Sequence, residues 1–313
     1  MSSGQERVLR RRIRSIESTK KLTRAMELIS ASEIVRAQGR LEASRPYVEG
    51  IEQILDITAS GVGSFSPVGG AVAEPRRVLV IAIVSDRGLC GAYNSNVLRA
   101  AEQLMRAEET EGRACTLVVV GRRAQRFFRF HGREIASSFV RMTERPTFED
   151  SRRVAREVVG PFLAGTFDLV ELVSTRFRSA GIQVVEVCQV LPLVSRRDGK
   201  EKLAPSTSAA GFYDFEPRED EVLVSLVPLH TETVLFQALL EASASEHTAR
   251  QRAMSAATEN ADELATTLRR LMNRVRQDSI TNEIMEVVGG AEAMRLAGRG
   301  GDFELLTASP SEE

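Results

Sequence analysis

Between Pro217 and Val288 the chain contains no glycine and a single internal proline, Pro228. Such a stretch reads as one very long helix. Apolar residues recur in alternating steps of four and three through Ala257, Ala261, Leu264, Leu268, Leu271 and Val275, a heptad stripe and not a strand alternation. An uninterrupted helix of about 60 residues from Leu229 extends roughly 90 Å at about 1.5 Å per residue, beyond the ordinary globular length of about 8 to 20 residues. It outgrows any single-domain core, so it must coil on another helix, cross a membrane or run through a partner. Crossing a membrane is excluded by Glu241, Glu246, Arg250, Arg252, Glu259, Asp262, Glu263, Arg269, Arg270, Arg274 and Arg276, which interrupt every possible span. Small residues from Ala242 to Ala257 make the helix slender in its middle. Either another backbone approaches closely there, or alanine is present for helix propensity alone.

The 313 residues suffice for two domains, and at 42% hydrophobic the chain can bury a sizeable core. A formal net charge of -1 makes any attraction for polyanions a local matter. Cys90, Cys115 and Cys188 are too scattered for a disulfide framework or a metal-ligand pair, which suits a reducing compartment. His131, His230 and His247 are equally dispersed, so no metal site is expected. The first residues lack the apolar segment of a signal peptide, and the longest strongly apolar run, Val78 to Val84, suits a buried strand. These features predict a protein of the cytosol or of the cytosolic side of a membrane.

A second helical pattern, from about Ser3 to Ile57, places Leu9, Ile13, Ile16, Leu22, Met26 and Ile29 near one stripe, with kinks expected at Gly39 and Pro46. Its surface is lopsided: Arg7, Arg10, Arg11, Arg12, Arg14, Lys20, Lys21 and Arg24 face only Glu17 between Arg7 and Arg24. A solvated helix face, a nucleic-acid or lipid stripe, and a surface turned to an acidic partner all account for it. After a Gly/Ser/Pro-rich loop, strands at Arg77 to Val84, Thr116 to Val120, Glu134 to Val140 and Phe167 to Val173 alternate with helices to Glu109, over Arg122 to Phe130 and over Phe148 to Leu163. The alternation predicts a small α/β domain with a mostly parallel sheet, closed by an antiparallel edge strand at Ile182 to Leu191. The expected organisation is an N-terminal helix over 1–59, a linker over 60–75, the α/β domain over 76–194, a loop over 195–216, the long helix over 217–290 and a mobile tail over 291–313. The fold class is therefore α/β: the terminal helices form an antiparallel two-helix coiled coil, and a Rossmann-like domain lies between them in sequence.

Little here looks catalytic. Gly88 and Gly91 follow a strand, but they lack the three-glycine spacing of a dinucleotide fingerprint and no Gly-Lys-Ser/Thr follows, so a structural turn is the expectation. A lowered pKa is conceivable for Cys90 beside Arg87, yet no histidine lies within several residues to act as its base. No cofactor and no metal is expected.

Several stretches together resemble the gamma subunit of the F-type ATP synthase. They are KKLTRAMEL from Lys20 to Leu28, ASRPY from Ala43 to Tyr47, SDRGLCG from Ser85 to Gly91, the run Ala244-Ser245-Glu246 with Ala249-Arg250, and NRVRQDSITNEIMEVVGG from Asn273 to Gly290. The resemblance spans about Glu6 to Met294. It implies a non-catalytic rotor shaft inside a ring of three alpha and three beta subunits, with the α/β domain as a foot meeting the epsilon subunit and the membrane c-ring. It also implies a peripheral position on the cytoplasmic side of the inner (plasma) membrane, with no nucleic-acid partner and no direct small-molecule substrate. By motif position, Arg276 and Gln277 match the pair that bonds a beta-subunit catch loop, Met26 the residue facing an acidic lever loop of beta, and Thr281 and Glu286 positions tied to coupling. Lys20, Lys21, Arg24 and Arg250 are further expected partner contacts. The alternatives are a basic coiled-coil adaptor and an α/β-domain enzyme with a coiled-coil arm. Three features depart from the family pattern: a tail from Arg295 to Glu313, a stretch from Ser195 to Thr207 without the cysteine pair of the chloroplast dithiol switch, and a loop from Gly61 to Pro75 with no motif of its own.

Overall fold

A strand buried on both faces needs covering layers, and here the long helices supply part of the cover. The computed structural model describes the backbone of residues 2–61, 75–193 and 219–304, with side chains over 4–55, 75–193 and 225–296. In chain order the elements are α1 (Ser2–Gly61), β1 (Arg77–Ile83), α2 (Tyr93–Thr110), β2 (Ala114–Val120), α3 (Arg122–Phe130), β3 (Ser137–Phe139), α4 (Phe148–Leu163), β4 (Leu169–Phe177), β5 (Gln183–Leu191) and α5 (Glu219–Glu304). Two compact units result, one from residues 1–25 with 255–313 and one from 26–254. The division therefore falls within both long helices, and not at the expected linkers, because segments of α1 and α5 are built into the core of the second unit.

In that second unit the sheet order is β3-β2-β1-β4-β5. β1 pairs in parallel with β2 and β4, β2 in parallel with β3, and β5 antiparallel with β4 at the edge, as expected. One face, from Val78, Val80, Ala82, Leu117 and Val119, packs on Val97, Ala101 and Met105 of α2 and Phe128 of α3. The other, from Leu79, Ile81, Ile83, Val118 and Leu172, packs on Val154 and Val158 of α4 and on Val227, Leu235, Ala238, Leu239 and Ala242 of α5. The continuous apolar reading of β1 follows from this double cover. α4 starts at a capping box in which Thr147 and Asp150 satisfy each other's backbone amides. The slender part of α5 is used for close approach. Ser243 donates to the carbonyl of Glu144 at 2.9 Å, and a Cβ on Gly91, whose φ is +57°, would lie only 3.8 Å from that of Ala253.

The first unit is an antiparallel helix pair. Lys20 meets Asp262 at 2.5 Å, the hydroxyls of Thr23 and Thr258 bond at 2.8 Å, and Arg269 pairs with Glu17, so rising numbers on α1 meet falling numbers on α5. The seam on α5 runs through Thr258, Ala261, Ala265, Leu268, Met272, Val275 and Ser279, in strict steps of three and four. Ala261, Leu268 and Val275 lie on it as expected. Leu264 and Leu271 do not: they are 50% and 42% exposed, whereas Ala265 is 1% exposed. On α1 the line runs through Leu9, Ile13, Ile16, Lys20 and Thr23, and Leu22 of the expected stripe faces outward. Polar residues occupy seam positions because they bond across it, and hydrophobicity alone therefore misplaces the register.

The expected stop after Gly289 and Gly290 is overturned, since α5 continues to Glu304. Glycine weakens a helix by about 1 kcal/mol relative to alanine but keeps its amide donor, so the hydrogen-bond ladder continues where proline would break it. α1 runs through Gly39 and also through Pro46, which removes one hydrogen bond of the ladder without ending the helix. β3 is shorter than expected because only three residues find partners on β2. The helix start at Pro217, most of the two expected loops and the last nine residues lie outside the described residues.

The seam gives a direct expectation for stability. Ala265→Phe overpacks the helix pair and costs about 1 to 3 kcal/mol, whereas Leu264→Ala at an exposed position costs less than about 0.5 kcal/mol. Helix melting of the full-length chain by circular dichroism checks this, and the reverse order would place the seam on Leu264.

Candidate functional site: a basic cleft and an exposed helical end

In the second unit, the loop after β1 folds around Ser85. Its amide donates to Asn94 Oδ1 at 2.9 Å, its hydroxyl bonds Asn94 Oδ1 and the carbonyl of Arg87, and Asn94 Nδ2 donates to Cys90 Sγ at 3.0 Å. Asp86 next to it accepts from the amide of Arg122 at the start of α3 and from the Thr143 hydroxyl, at 3.0 and 3.1 Å. The start of a helix after a strand is where α/β proteins place a phosphate. At α3 the protein's own Asp86 carboxylate holds the first amide, and it ties the loop after β1 to the start of that helix. Gly121, just before α3, has φ +101°, and a Cβ there would fall 2.1 Å from the carbonyl oxygen of Val84. Only glycine suits that crossing.

A cleft of about 850 Å³ opens beside this loop, bounded by Met26, Ile29 and Glu33 of α1, Asp86 to Leu89, α3, the segment after β3, and His247 and Arg250 of α5. Seven arginines line it against Glu33, Asp86 and Glu144. Arg87 meets Glu144 at 2.9 Å and Arg145 meets Glu33 at 2.6 Å. The Arg145 hydrogen bond holds the Glu33 carboxyl below the usual carboxylate range. At the inner wall Arg250 is 5% exposed and pairs with Glu246, which is 0% exposed and whose second oxygen has no hydrogen-bond partner. Burial pushes Glu246 up to about 7 despite the arginine, with Glu144 and Asp86 adding to the rise. Burial also pushes His247 down and the Cys90 thiol up, so the lowered Cys90 pKa entertained from the sequence is overturned.

The expected contact residues separate. Met26 and Arg250 share the cleft, but Arg250 is a correction: its guanidinium serves Glu246 and, at 3.4 Å, the carbonyl of Gly88, and is not presented at the surface. Lys20 is engaged by Asp262 inside the helix pair, which a basic-face reading does not anticipate. Lys21 and Arg24 lie exposed on α1. Arg276, Gln277, Thr281 and Glu286 lie together on the exposed end of α5, where the Thr281 hydroxyl donates to the Gln277 carbonyl at 3.0 Å. The surrounding Ile280, Ile284, Met285, Val287, Val288 and Met294 are exposed as well. Sequence reasoning missed Arg122, Arg123, Arg126 and Arg141, though the spacing of the first three on one short helix without an acid was visible. It also missed the i,i+4 pair of Glu246 and Arg250.

Comparison with known proteins identifies the setting of these features. A family model described as ATP synthase matches residues 5–294. The chain is 42% identical over 296 residues to the ATP synthase gamma chain of Parafrankia sp., covering 93% of this chain and 98% of that one. It is 40% identical over 303 residues to that of Streptomyces coelicolor, covering 96% and 99%. Its fold is similar to a chain in the Euglena gracilis mitochondrial ATP synthase structure of OSCP, F1 and c-ring, with TM-score 0.64, 17% identity and 99% of both chains covered. A chain in the Tetrahymena thermophila central stalk and c-ring structure gives TM-score 0.56 at 22% identity, covering 75% of this chain and 99% of that one.

The buried carboxyl has a pH signature. Because the folded pKa of Glu246 lies above its ordinary value of 4.5, its contribution to stability is fully present below about 4.5 and is lost as pH rises through about 7. His247, lowered by burial, acts in the opposite sense, losing its contribution as pH falls through its folded pKa. Glu246→Gln removes the first contribution and retains the second. Denaturant midpoints from pH 5 to 8 are expected to converge toward low pH and to favour the variant as pH rises; parallel curves would contradict the buried-acid assignment.

Proposed function

The chain belongs to the ATP synthase gamma-chain family, and from that premise we propose that it is the central-stalk rotor shaft, coupling proton flow through the membrane c-ring to ATP synthesis or hydrolysis in the alpha-beta ring. The near full-length match to gamma chains carries this reading. Chains of similar fold occur in ATP synthase structures of the central stalk and c-ring, of the rotor, and of OSCP, F1 and c-ring. The chain does no chemistry itself; catalysis lies in the beta subunits. It is peripheral, on the cytoplasmic side of the inner membrane, and among the described residues no helix is long and apolar enough to cross a membrane.

The residues support distinct parts of that role. The exposed apolar end of α5 is a surface that soluble proteins reserve for partners, and it suits a surrounding ring of alpha and beta subunits. Met26, Lys21 and Arg24 would face the acidic lever of a beta subunit, whereas Lys20 and Arg250 serve internal pairs. Arg276 supplies a rigid five-donor fork and Gln277 an amide whose side chain is not needed by its own helix. Together they would catch a beta-subunit carboxylate and loop backbone, with Thr281 and Glu286 on the following turns tuning the contact. The foot would meet epsilon and the c-ring.

A hydrogen bond to a charged group contributes about 1.5 to 3 kcal/mol, enough to bias one rotary dwell without locking the shaft. Changing Arg276 and Gln277 together to alanine is expected to leave the chain folded and assembled but to lower ATP-driven proton pumping several-fold. Pumping and hydrolysis in inverted membranes, normalised to assembled complex, are the measurement. Wild-type values for both would remove the catch from this pair.

A further inference from the structure

The cleft holds four cations that the protein does not neutralise. Arg87, Arg145 and Arg250 have carboxylate partners, but Arg122, Arg123, Arg126 and Arg141 have none among the described residues. Gathering like charges in one recess is unfavourable unless an anion shares them. The walls add a second observation. Leu89 and Arg141, both lining the cleft, are the two non-glycine residues with positive φ among the described residues, at +63° and +66°. Such a conformation costs a bulky residue about 1 kcal/mol or more and concentrates at ligand sites. The cleft also lies outside the carboxyl ends of β1, β2 and β3, where open α/β sheets take ligands.

We propose that this cleft binds a small molecule bearing a di- or triphosphate group. The phosphate oxygens are taken by the guanidinium groups of Arg122, Arg123, Arg126 and Arg141, each able to offer a two-pronged hydrogen bond. Four unpaired cations match a triphosphate's charge of about three to four, since each guanidinium stays ionised. The first amide of α3 is not available, because Asp86 holds it, so side chains and not a backbone nest do the binding. Asp86, Glu33 and Glu144 oppose an anion, but each is engaged by an amide, a hydroxyl or an arginine. Met26, Ile29 and Leu89 form an apolar wall beside the cations, and the volume falls within the roughly 300 to 1,000 Å³ of small-molecule sites.

Calorimetric titration of the full-length chain, purified without catalytic subunits, tests this with tripolyphosphate, ATP, inorganic phosphate and polyglutamate as probes. Tripolyphosphate is expected to bind at least about tenfold more tightly than inorganic phosphate and to weaken at about 0.5 M salt, where screening is within about 4 to 5 Å. ATP equal to tripolyphosphate shows that the phosphates alone are read; ATP binding more tightly shows that the apolar wall reads the base. R122Q/R126Q is expected to lower tripolyphosphate affinity by about tenfold or more, while R129Q, an exposed change on α3 outside the cleft, leaves it intact. Should the double variant melt early, R141Q, which lies outside any helix, carries the same expectation. Tripolyphosphate no tighter than phosphate, equal loss in R129Q, or polyglutamate binding more tightly than tripolyphosphate each overturns the proposal.

Discussion

The structure depends on the apolar contact between α5 and one face of the central sheet. Leu79, Ile81 and Ile83 of β1 cannot stand in water, and among their neighbours Leu235, Ala238, Leu239 and Ala242 come from α5. Each of these leucines and isoleucines, fully buried, contributes roughly 1.5 to 3 kcal/mol. The α/β portion therefore does not complete its core without the helix that also forms the coiled pair. The same helix contributes core side chains to the second unit and one member of the helix pair to the first.

Where a nucleotide-binding relative of this sheet would hold a phosphate, Asp86 binds the same amide from within. The loop is thereby fixed as a structural corner, held further by Asn94 and by the arginine that pairs with Glu246. A buried carboxylate costs several kcal/mol to desolvate, and Arg250 offsets only part of that cost. Through Arg250 the buried acid is linked to the carbonyl of Gly88, and so to the geometry of this corner.

The architecture was legible in the sequence where one physical signal dominated. Helical periodicity gave both long helices, with the glycine-free stretch from Pro217 to Val288 marking the second, and the apolar run of β1 gave a strand covered on both sides; α3 and α4 begin and end where expected. The coiled-coil register was less legible, because Lys20, Thr23 and Thr258 occupy seam positions through hydrogen bonds that no hydropathy pattern displays. Arg250 was misplaced for a related reason: an arginine reads as surface until its partner Glu246 is seen to be buried with it. The cleft was invisible because its arginines come together from α3 and from the turn after β3, and only the sheet topology makes them neighbours.

Gly289 and Gly290 sit side by side within α5, and a Cβ on either would meet nothing within 4 Å. No contact among the described residues demands glycine there, and its effect within the chain is on the helix itself. Two adjacent residues without side chains make the ladder locally easiest to open, by about 1 kcal/mol each. The final segment, to Glu304, is thus joined to the rest of α5 through the two positions where the helix gains least from its own residues.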